Sequence, residues 1–281
     1  RAAPSHEPGP VVSALRSFRL LAVEAVQDAV RRRVIAAIAV VSVLSLLGID
    51  GCTTCAGGTI VVNGQAAELP QVAGATGLLT FSVLSLWCMA LAGVLAAEHL
   101  TQPLDDGSAI LGLARPVGRG VFVFARLAGA LAIALTTGGV LLGATAALLA
   151  VRTGLPPGPA VAGFLAFAIG AVTVAALAMS LSLAIGRLAN LLLVFASVGS
   201  IALANTLSLA AREPGGLLGL LDAYGPPLAS AVVVAVSGWV PQLELPGDPA
   251  ELVFRSVVWA GGSLVALWWL FGRVELGRQT S

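Results

Sequence analysis

One polar segment concentrates acids and arginines in a chain that otherwise holds few ions. It reads AAEHLTQPLDDGSAILGLARPVGRG, whereas only 10% of the 281 residues are charged. Pro103 is expected to end the preceding helix, and Asp105 and Asp106 then suit the first turn of a new one. Arg115 and Arg119 close the segment among prolines and glycines. We predict a short amphipathic helix that presents charge to a soluble partner, with a solvated, unpartnered loop as the alternative.

Cysteines and histidines are the next candidates for chemistry. Cys52 and Cys55 form a C-x-x-C pair in GCTTCAGG, which suits a local disulfide, a redox pair or a soft-metal site. No histidine or third cysteine lies nearby, so the disulfide is favoured and the other two readings stay open. Cys88 lies in a predicted span and is expected to serve packing. His6 and His99 are both predicted outside the bilayer, which excludes a membrane bis-histidine haem.

The sequence lacks the motifs of an enzyme. A phosphate-binding P-loop requires a lysine, and every basic residue other than histidine is an arginine. The serines are scattered and have no histidine to activate them. We therefore predict that the chain is not an enzyme and does not hydrolyse ATP itself.

Hydrophobic composition determines the elements that must hold these residues. Hydrophobic residues make up 58% of the chain, and the mean hydropathy is +0.97. A hydrocarbon core of about 30 Å needs roughly 20 helical residues, and most of the charge-free runs reach that length. We predict an all-α integral membrane protein with a single transmembrane domain over residues 1–281. Its six transmembrane helices are predicted at residues 34–50, 76–97, 126–151, 160–186, 188–211 and 254–272.

Three further segments flank these spans. Residues 11–33 alternate polar and apolar side chains at helical spacing, which predicts an amphipathic helix lying on the membrane surface. Residues 98–125 form the polar loop described above. Residues 212–253 form an outer loop whose uncharged core, Leu228 to Val240, is too short to cross the bilayer. Prolines interrupt this stretch, so it is predicted to be a re-entrant or interfacial helix.

The arginines indicate which side of the membrane each loop occupies. With six spans and both termini inside, twelve of the 15 basic residues fall on the cytoplasmic side. This asymmetry is a strong positive-inside signal. The formal net charge is only +1, and no basic patch with interleaved aromatics is present, so no nucleic-acid partner is indicated.

The polar loop resembles a segment of the ABC-2 type permease subunits of ABC transporters, particularly the small six-span bacterial branch. That pattern has a Glu ending span two, an acidic-Gly-Thr step, Leu-Leu-x-x-Pro-Val-x-Arg, and a basic residue opening span three. Ser108 replaces the usual Thr, and Gly112 interrupts the leucine pair. The matching residues are Glu98, Asp106, Gly107, Ser108, Leu111, Leu113, Arg115, Pro116, Val117, Gly118, Arg119 and Arg126.

The resemblance implies a fold, partners and a location. It implies a permease, an exporter, in the cytoplasmic membrane of a bacterium, paired with a second copy or a homologue. Separate ATPase subunits, which bind ATP and Mg²⁺, would dock on a cytoplasmic coupling helix within residues 98–125. Residues 11–33 would be the elbow helix. The docking residues would be Glu98, Asp105, Asp106, Gly107, Ser108, Arg115, Pro116 and Arg119.

Two other classes of function remain open. A secondary transporter usually holds ionisable groups at mid-membrane, and no carboxylate or arginine falls within a predicted span. A sodium site built from carbonyls would still be compatible with the sequence. The second class is an accessory membrane subunit for assembly or for maturation of copper enzymes, which the C-x-x-C pair keeps open.

Overall fold

The computed structural model describes residues 18–24, 26–27, 61–62, 65–66, 69–105, 118–210, 214–241 and 248–273. Helices make up nearly all of this part of the chain. The helices are α1 (Leu69–Asp105), α2 (Arg119–Thr153), α3 (Gly158–Ser182), α4 (Arg187–Leu209), α5 (Gly216–Tyr224), α6 (Leu228–Val236) and α7 (Pro249–Arg273). A 3-10 turn, Ser237–Trp239, follows α6. Two-residue strands β1 (Val61–Val62) and β2 (Gln65–Ala66) pair antiparallel ahead of α1. The predicted all-α class is confirmed.

Five of these helices are long and apolar enough to cross a membrane: α2, α3, α4, α7 and, within α1, Ala73–Gln102. Each overlaps one of the predicted spans. A sixth crossing is obtained only if α5 and the segment Leu228–Trp239, which are bent by 61° relative to each other, are counted as one span. The predicted span at 34–50 lies outside the described residues. The chain is a multi-pass membrane protein.

Part of the predicted amphipathic segment at 11–33 is also helical. Residues 18–24 and 26–27 have helical backbone, and the rest of that segment is outside the described part of the chain. Leu21 and Val26 pack against a buried apolar cluster of the bundle. Leu20 and Val23 are exposed. This short helical stretch therefore lies against the bundle while presenting apolar side chains outward.

The connection between α2 and α3 shows how sequence sets the helix boundaries. Gly154 ends α2 with a φ of 72°, in the left-handed region that glycine adopts without strain, and its N–H donates to the Ala150 carbonyl. Pro156 and Pro157 follow and cannot continue the helix. Pro159 is then tolerated near the start of α3, because the first helical N–H groups have no partner within the helix.

The long helices run alternately up and down, so their termini gather at two ends. At one end, which we call the Glu98 end, the carboxyl-terminal part of α1 meets the start of α4, and the start of α2 meets the last turn of α7. The opposite end, which we call the Asp222 end, holds the α2–α3 connection and the α5–α6 pair. There Trp239 donates from its indole N–H to the Pro156 carbonyl over 2.8 Å.

Helices α1 and α3 form the centre of the bundle. They are the two most buried long helices and pack extensively against each other, whereas α4 and α7 are the least buried. One buried cluster lies around Phe81, Met89 and Phe167, and a second, nearer the Glu98 end, lies around Phe122 and Phe271. The side chains in these clusters differ greatly in size, so close packing of the helices requires small residues opposite the large rings.

Glycines are the small residues at several of these positions. A methyl group built on Gly163 would lie 2.7 Å from the Phe81 ring and 2.5 Å from Val236, so α3 approaches α1 and α6 closely there. A methyl group on Gly138 of α2 would lie 2.5 Å from the buried ring of Phe167. A real methyl group could not approach these atoms so closely, so each ring can occupy its place only because the facing residue is glycine.

The α5–α6 pair is held by polar side chains of two neighbouring helices. Asn205 of α4, 1% exposed, donates to the Asp222 carboxylate over 3.0 Å and accepts the Ala229 N–H over 3.2 Å. Arg255 of α7 donates to the Asp222 and Gly225 carbonyls, at 2.7 and 2.9 Å. The end of α5 and the start of α6 thus find their hydrogen-bond partners within the protein.

Paired glycine substitutions on α2 test the packing. We expect Gly138→Ala to lower the free energy of unfolding by about 1–3 kcal/mol, because the new methyl overpacks against Phe167. Gly143→Ala is the matched control on the same helix, since a methyl group there meets nothing within 4 Å. It should leave the melting temperature unchanged or raised, because alanine is the better helix former. Equal melting temperatures for the two variants would contradict the close approach.

Candidate functional site

Three of the site residues predicted from the sequence lie in the described parts of the helices that flank the polar loop. Glu98 lies about two turns before the end of α1. Asp105 is the last residue of α1, and Arg119 is the first residue of α2. The loop between them falls outside the described residues. So do the remaining predicted site residues, which are Asp106, Gly107, Ser108, Arg115, Pro116, Cys52 and Cys55.

Helix α1 continues beyond the point where we expected it to break. The prediction that Pro103 ends the helix was wrong, since α1 runs through Pro103 to Asp105. Proline removes one backbone hydrogen bond, to the carbonyl of His99 four residues earlier. The loss is confined to this one bond, because Pro103 lies two residues before the helix end and the carbonyls from residue 102 onward have no intrahelical partners in any case. The carboxyl-terminal part of α1 therefore forms a rigid stem that carries the chain toward the polar loop.

Glu98 pairs with an arginine on another helix. Its Oε1 accepts a hydrogen bond from Nη2 of Arg187, the first residue of α4, at 2.5 Å. The side chains are 31% and 67% exposed, respectively, and such pairs contribute only about 0–1 kcal/mol to stability. Glu98 directly follows the predicted span 76–97 and lies four residues before the end of the apolar stretch Ala73–Gln102. The pair fixes the geometry of two helix ends more than it stabilises the fold.

A small cleft lies beside this ion pair. It is lined by Glu98, Thr101, Arg187 and Asn190, together with apolar residues of α1 and α4. Asn190 is 2% exposed and donates to the Ala178 carbonyl of α3 over 3.2 Å. Its Oδ1 accepts no hydrogen bond from the described residues. Asn190 thus joins α4 to α3 one turn above the point where Arg187 joins α4 to α1.

The start of α2 is tied to α7 in a similar way. Arg119 donates from Nη1 to the Gly272 carbonyl of α7 over 3.1 Å, an arrangement that suits a cation at a helix carboxyl terminus. Two turns further, buried Arg126 lies 5.5 Å from the centroid of the Phe122 ring. Phe122 in turn stacks on Phe271 of α7 with ring centroids 6.1 Å apart. Polar and aromatic contacts therefore connect the same pair of helices.

This arrangement can transmit displacement from the loop to the bundle. The loop's first stem, α1, is joined to α4 through Glu98, and its second stem, α2, is joined to α7 through Arg119. Each helix that flanks the loop therefore contacts, near its loop end, a helix that comes much later in the chain.

The described residues contain no group of three or more His, Cys, Asp or Glu side chains placed to hold a metal ion. Sequence reasoning missed Arg187, which pairs with Glu98 of α1, and Asn190, which joins α4 to α3 beside that pair. A sequence signal for Arg187 exists, because it opens one apolar run while Glu98 closes another, and lone opposite charges at helix ends favour pairing.

Comparison with known proteins assigns no family to the chain. Neither the known protein families nor the curated proteins give a match.

Exchanging the charges of Glu98 and Arg187 tests the ion pair between α1 and α4. Arg187→Glu should lower the melting temperature slightly, because two carboxylates then face each other at hydrogen-bonding distance. The double variant Glu98→Arg with Arg187→Glu should restore most of the loss. In a double-mutant cycle on thermal unfolding we expect a coupling of about 0.2–1 kcal/mol. Effects that simply add would mean that the two side chains do not interact in the membrane.

Proposed function

We propose that the protein is the membrane-spanning permease subunit of an ATP-driven transporter, acting as an exporter. Separate ATPase subunits would dock on the loop that joins α1 to α2. The observation that carries this proposal is the pair of ties at the Glu98 end, Glu98–Arg187 and Arg119–Gly272. A docking loop is useful only if its movement reaches the other helices, and these contacts provide such a connection.

The proposed mechanism needs no chemistry within this chain. Closure of the ATPase subunits around ATP and Mg²⁺ would press on the loop and displace α1 and α2 together. Arg187 and Gly272 would then carry α4 and α7 with them. The bundle would alternate between two arrangements, as in rigid-body switching of packed helices. A secondary transporter would work without such a partner, so stimulated ATP hydrolysis separates the two classes.

Arginine placement supports a cytoplasmic location for the Glu98 end. That end carries Arg119, Arg126, Arg187 and Arg273 among the described residues. Arg152 and Arg255 lie toward the Asp222 end. In a bacterial inner membrane this bias favours both termini inside. The α5–α6 pair would then be an outer re-entrant segment, since Asn205 and Arg255 hold it from the outer ends of their helices.

The outer faces of α4 and α7 support a partner in the membrane. Both helices expose large apolar side chains and are the least buried of the five long ones. Lipid covers some of this surface, and a second copy of the permease or a homologue would cover the rest. On α7 the exposed residues are Val253, Phe254, Val257, Val258, Val265, Trp268, Trp269 and Leu270.

Charge reversal in the loop tests ATPase docking. Asp105→Arg with Asp106→Arg should strip the ATPase from the purified complex while the protein still inserts into the membrane. Single surface pairs are worth only about 0–1 kcal/mol, so several reversals together are needed to set like charges against the partner. Co-purification of the ATPase and stimulated ATP hydrolysis are the measurements.

Two further variants sharpen this experiment. Gly107→Pro should also release the ATPase, because proline would disrupt the short helix that the sequence predicts there. Glu251→Arg reverses an exposed acid in the first turn of α7 at the opposite end, and it should keep the ATPase bound. Full stimulated hydrolysis in the Asp105/Asp106 double variant would exclude the loop as the docking site.

Labelling of single cysteines tests the orientation. In a cysteine-free background, Gly118→Cys and Gly158→Cys both offer exposed sites, and a side chain at either meets nothing within 4 Å. A membrane-impermeant thiol reagent should label position 158 in intact cells. Position 118 should be labelled only after permeabilisation, because it lies at the arginine-rich end. Labelling of position 118 in intact cells would invert the proposed orientation.

A further inference from the structure

A long apolar groove opens on the side of the bundle between α4 and α7. Both helices pack on α3, which forms the floor of the groove. The groove has a volume of about 500 Å³ and is open on one side. It begins beside Arg273, at the Glu98 end, and reaches Pro226 and Leu228 at the α5–α6 junction.

The groove walls offer no polar group to a ligand along most of their length. The lining is aliphatic apart from Ser180, Ser197 and the terminal arginine. Ser180 donates to the Ala176 carbonyl and Ser197 to the Leu193 carbonyl of its own helix. These hydroxyl hydrogens are therefore already used. A ligand with polar groups along its length would lose hydrogen bonds to water on entering, so the groove suits an aliphatic chain.

The depth of the groove matches one leaflet of a bilayer. Its floor extends along α3 from Val174 to Ser182, which is about 12 Å of helix at 1.5 Å per residue, and continues through Leu183 and Ala184 in the turn that follows. A hydrocarbon core is about 30 Å thick. The inner limit, near Leu228, lies against Gly170, close to the middle of α3. The groove thus runs from one membrane surface to the bilayer midplane.

A cation, Arg273, lies at the Glu98 end of the groove. The Arg273 guanidinium lies 3.7 Å from the centroid of the Trp269 ring, which holds it at the last turn of α7. Its side chain is exposed, and none of the carboxylates in the described ranges forms an ion pair with it. An arginine held on an aromatic face keeps its planar donors available for a phosphate.

We propose that this groove binds an anionic phospholipid from the leaflet at the Glu98 end. One acyl chain occupies the groove between α4 and α7, and the headgroup phosphate pairs with Arg273. The length of the groove, its aliphatic walls and the arginine at its end all match a lipid, whereas an extended protein segment would bring backbone groups that these walls cannot satisfy. The inference requires only that the bundle lies in a bilayer, and it is independent of ATPase docking. A lipid in this position would set the spacing between α4 and α7, the two helices tied to the loop stems.

Lipid titration of the full-length protein tests the proposal. Purified protein in detergent is titrated with phosphatidylglycerol or with phosphatidylcholine of the same chains, and native mass spectrometry counts the bound lipid. Phosphatidylglycerol should bind about tenfold more tightly, because both lipids offer a phosphate to Arg273 but only phosphatidylcholine also brings a quaternary ammonium group, whose positive charge the guanidinium repels. Inorganic phosphate, which has no acyl chain, should not compete at millimolar concentration.

Variants at each end of the groove identify the site. Arg273→Gln should abolish the preference for the anionic lipid, and Arg273→Lys should retain most of it. Ser197→Phe should block binding of both lipids by filling the groove, whereas Ala196→Phe, which adds the same ring to the neighbouring exposed position of α4, should not. If Ser197→Phe does not purify as a monodisperse protein, Ala266→Phe fills the groove from the α7 wall instead.

The outcomes separate this inference from the proposed function. An unchanged lipid preference in Arg273→Gln, equal binding by the two α4 variants, or competition by phosphate would each overturn the lipid site. ATPase co-purification is scored on the same preparations. Loss of lipid binding with the ATPase still bound is the expected result for Ser197→Phe and leaves the docking proposal unaffected. Wild-type protein that binds phosphatidylglycerol but never an ATPase would contradict only the docking proposal.

Discussion

Backbone hydrogen bonding in an apolar surrounding is the constraint on which this structure depends. Hydrocarbon offers no partner to a free N–H or C=O group, so each spanning segment must be helical throughout. Several hydroxyl side chains follow the same rule, as Thr145 and Ser180 donate to carbonyls of their own helices, although the buried hydroxyls of Ser82 and Ser85 have no partner among the described residues. The difficult points are the places where a helix starts or ends inside the bundle.

The α5–α6 junction is such a point, and its solution determines the shape of the Asp222 end. Asn205 accepts a hydrogen bond from the Ala229 N–H, and Arg255 donates to the carbonyls of Asp222 and Gly225. These backbone groups at the helix ends therefore need no water as a partner. Each of these side chains comes from a different long helix. The junction therefore also fixes α4 and α7 relative to the short helices between them.

The sequence predicts this protein's class well and its internal contacts poorly. Charge-free runs locate the long helices because hydrophobic length is a local property, and Pro156 and Gly154 mark a boundary through local backbone chemistry. The ion pair of Glu98 with Arg187 depends on how α1 and α4 are placed side by side, which hydropathy does not encode. Pro103 misled the prediction because its cost depends on its distance from the helix end. The loop residues from Asp106 to Pro116 keep the roles that the family resemblance implies for them as predictions.

The two ends of the bundle are held by contacts of unequal strength, and this asymmetry suits a moving part. At the Asp222 end, Asn205 is buried, and breaking its hydrogen bonds would leave unsatisfied groups at a cost of about 1–3 kcal/mol each. At the Glu98 end, the exposed Arg187–Glu98 pair can exchange for water at a cost of about 0–1 kcal/mol. Helix α4 is therefore held more firmly at the Asp222 end than at the Glu98 end, whereas α7 is also held at the Glu98 end, by Arg119 and by the stacking of Phe271 on Phe122. In the mechanism that we propose, a displacement at the Glu98 end would change the width of the groove through α4, with the Asp222 end as its pivot.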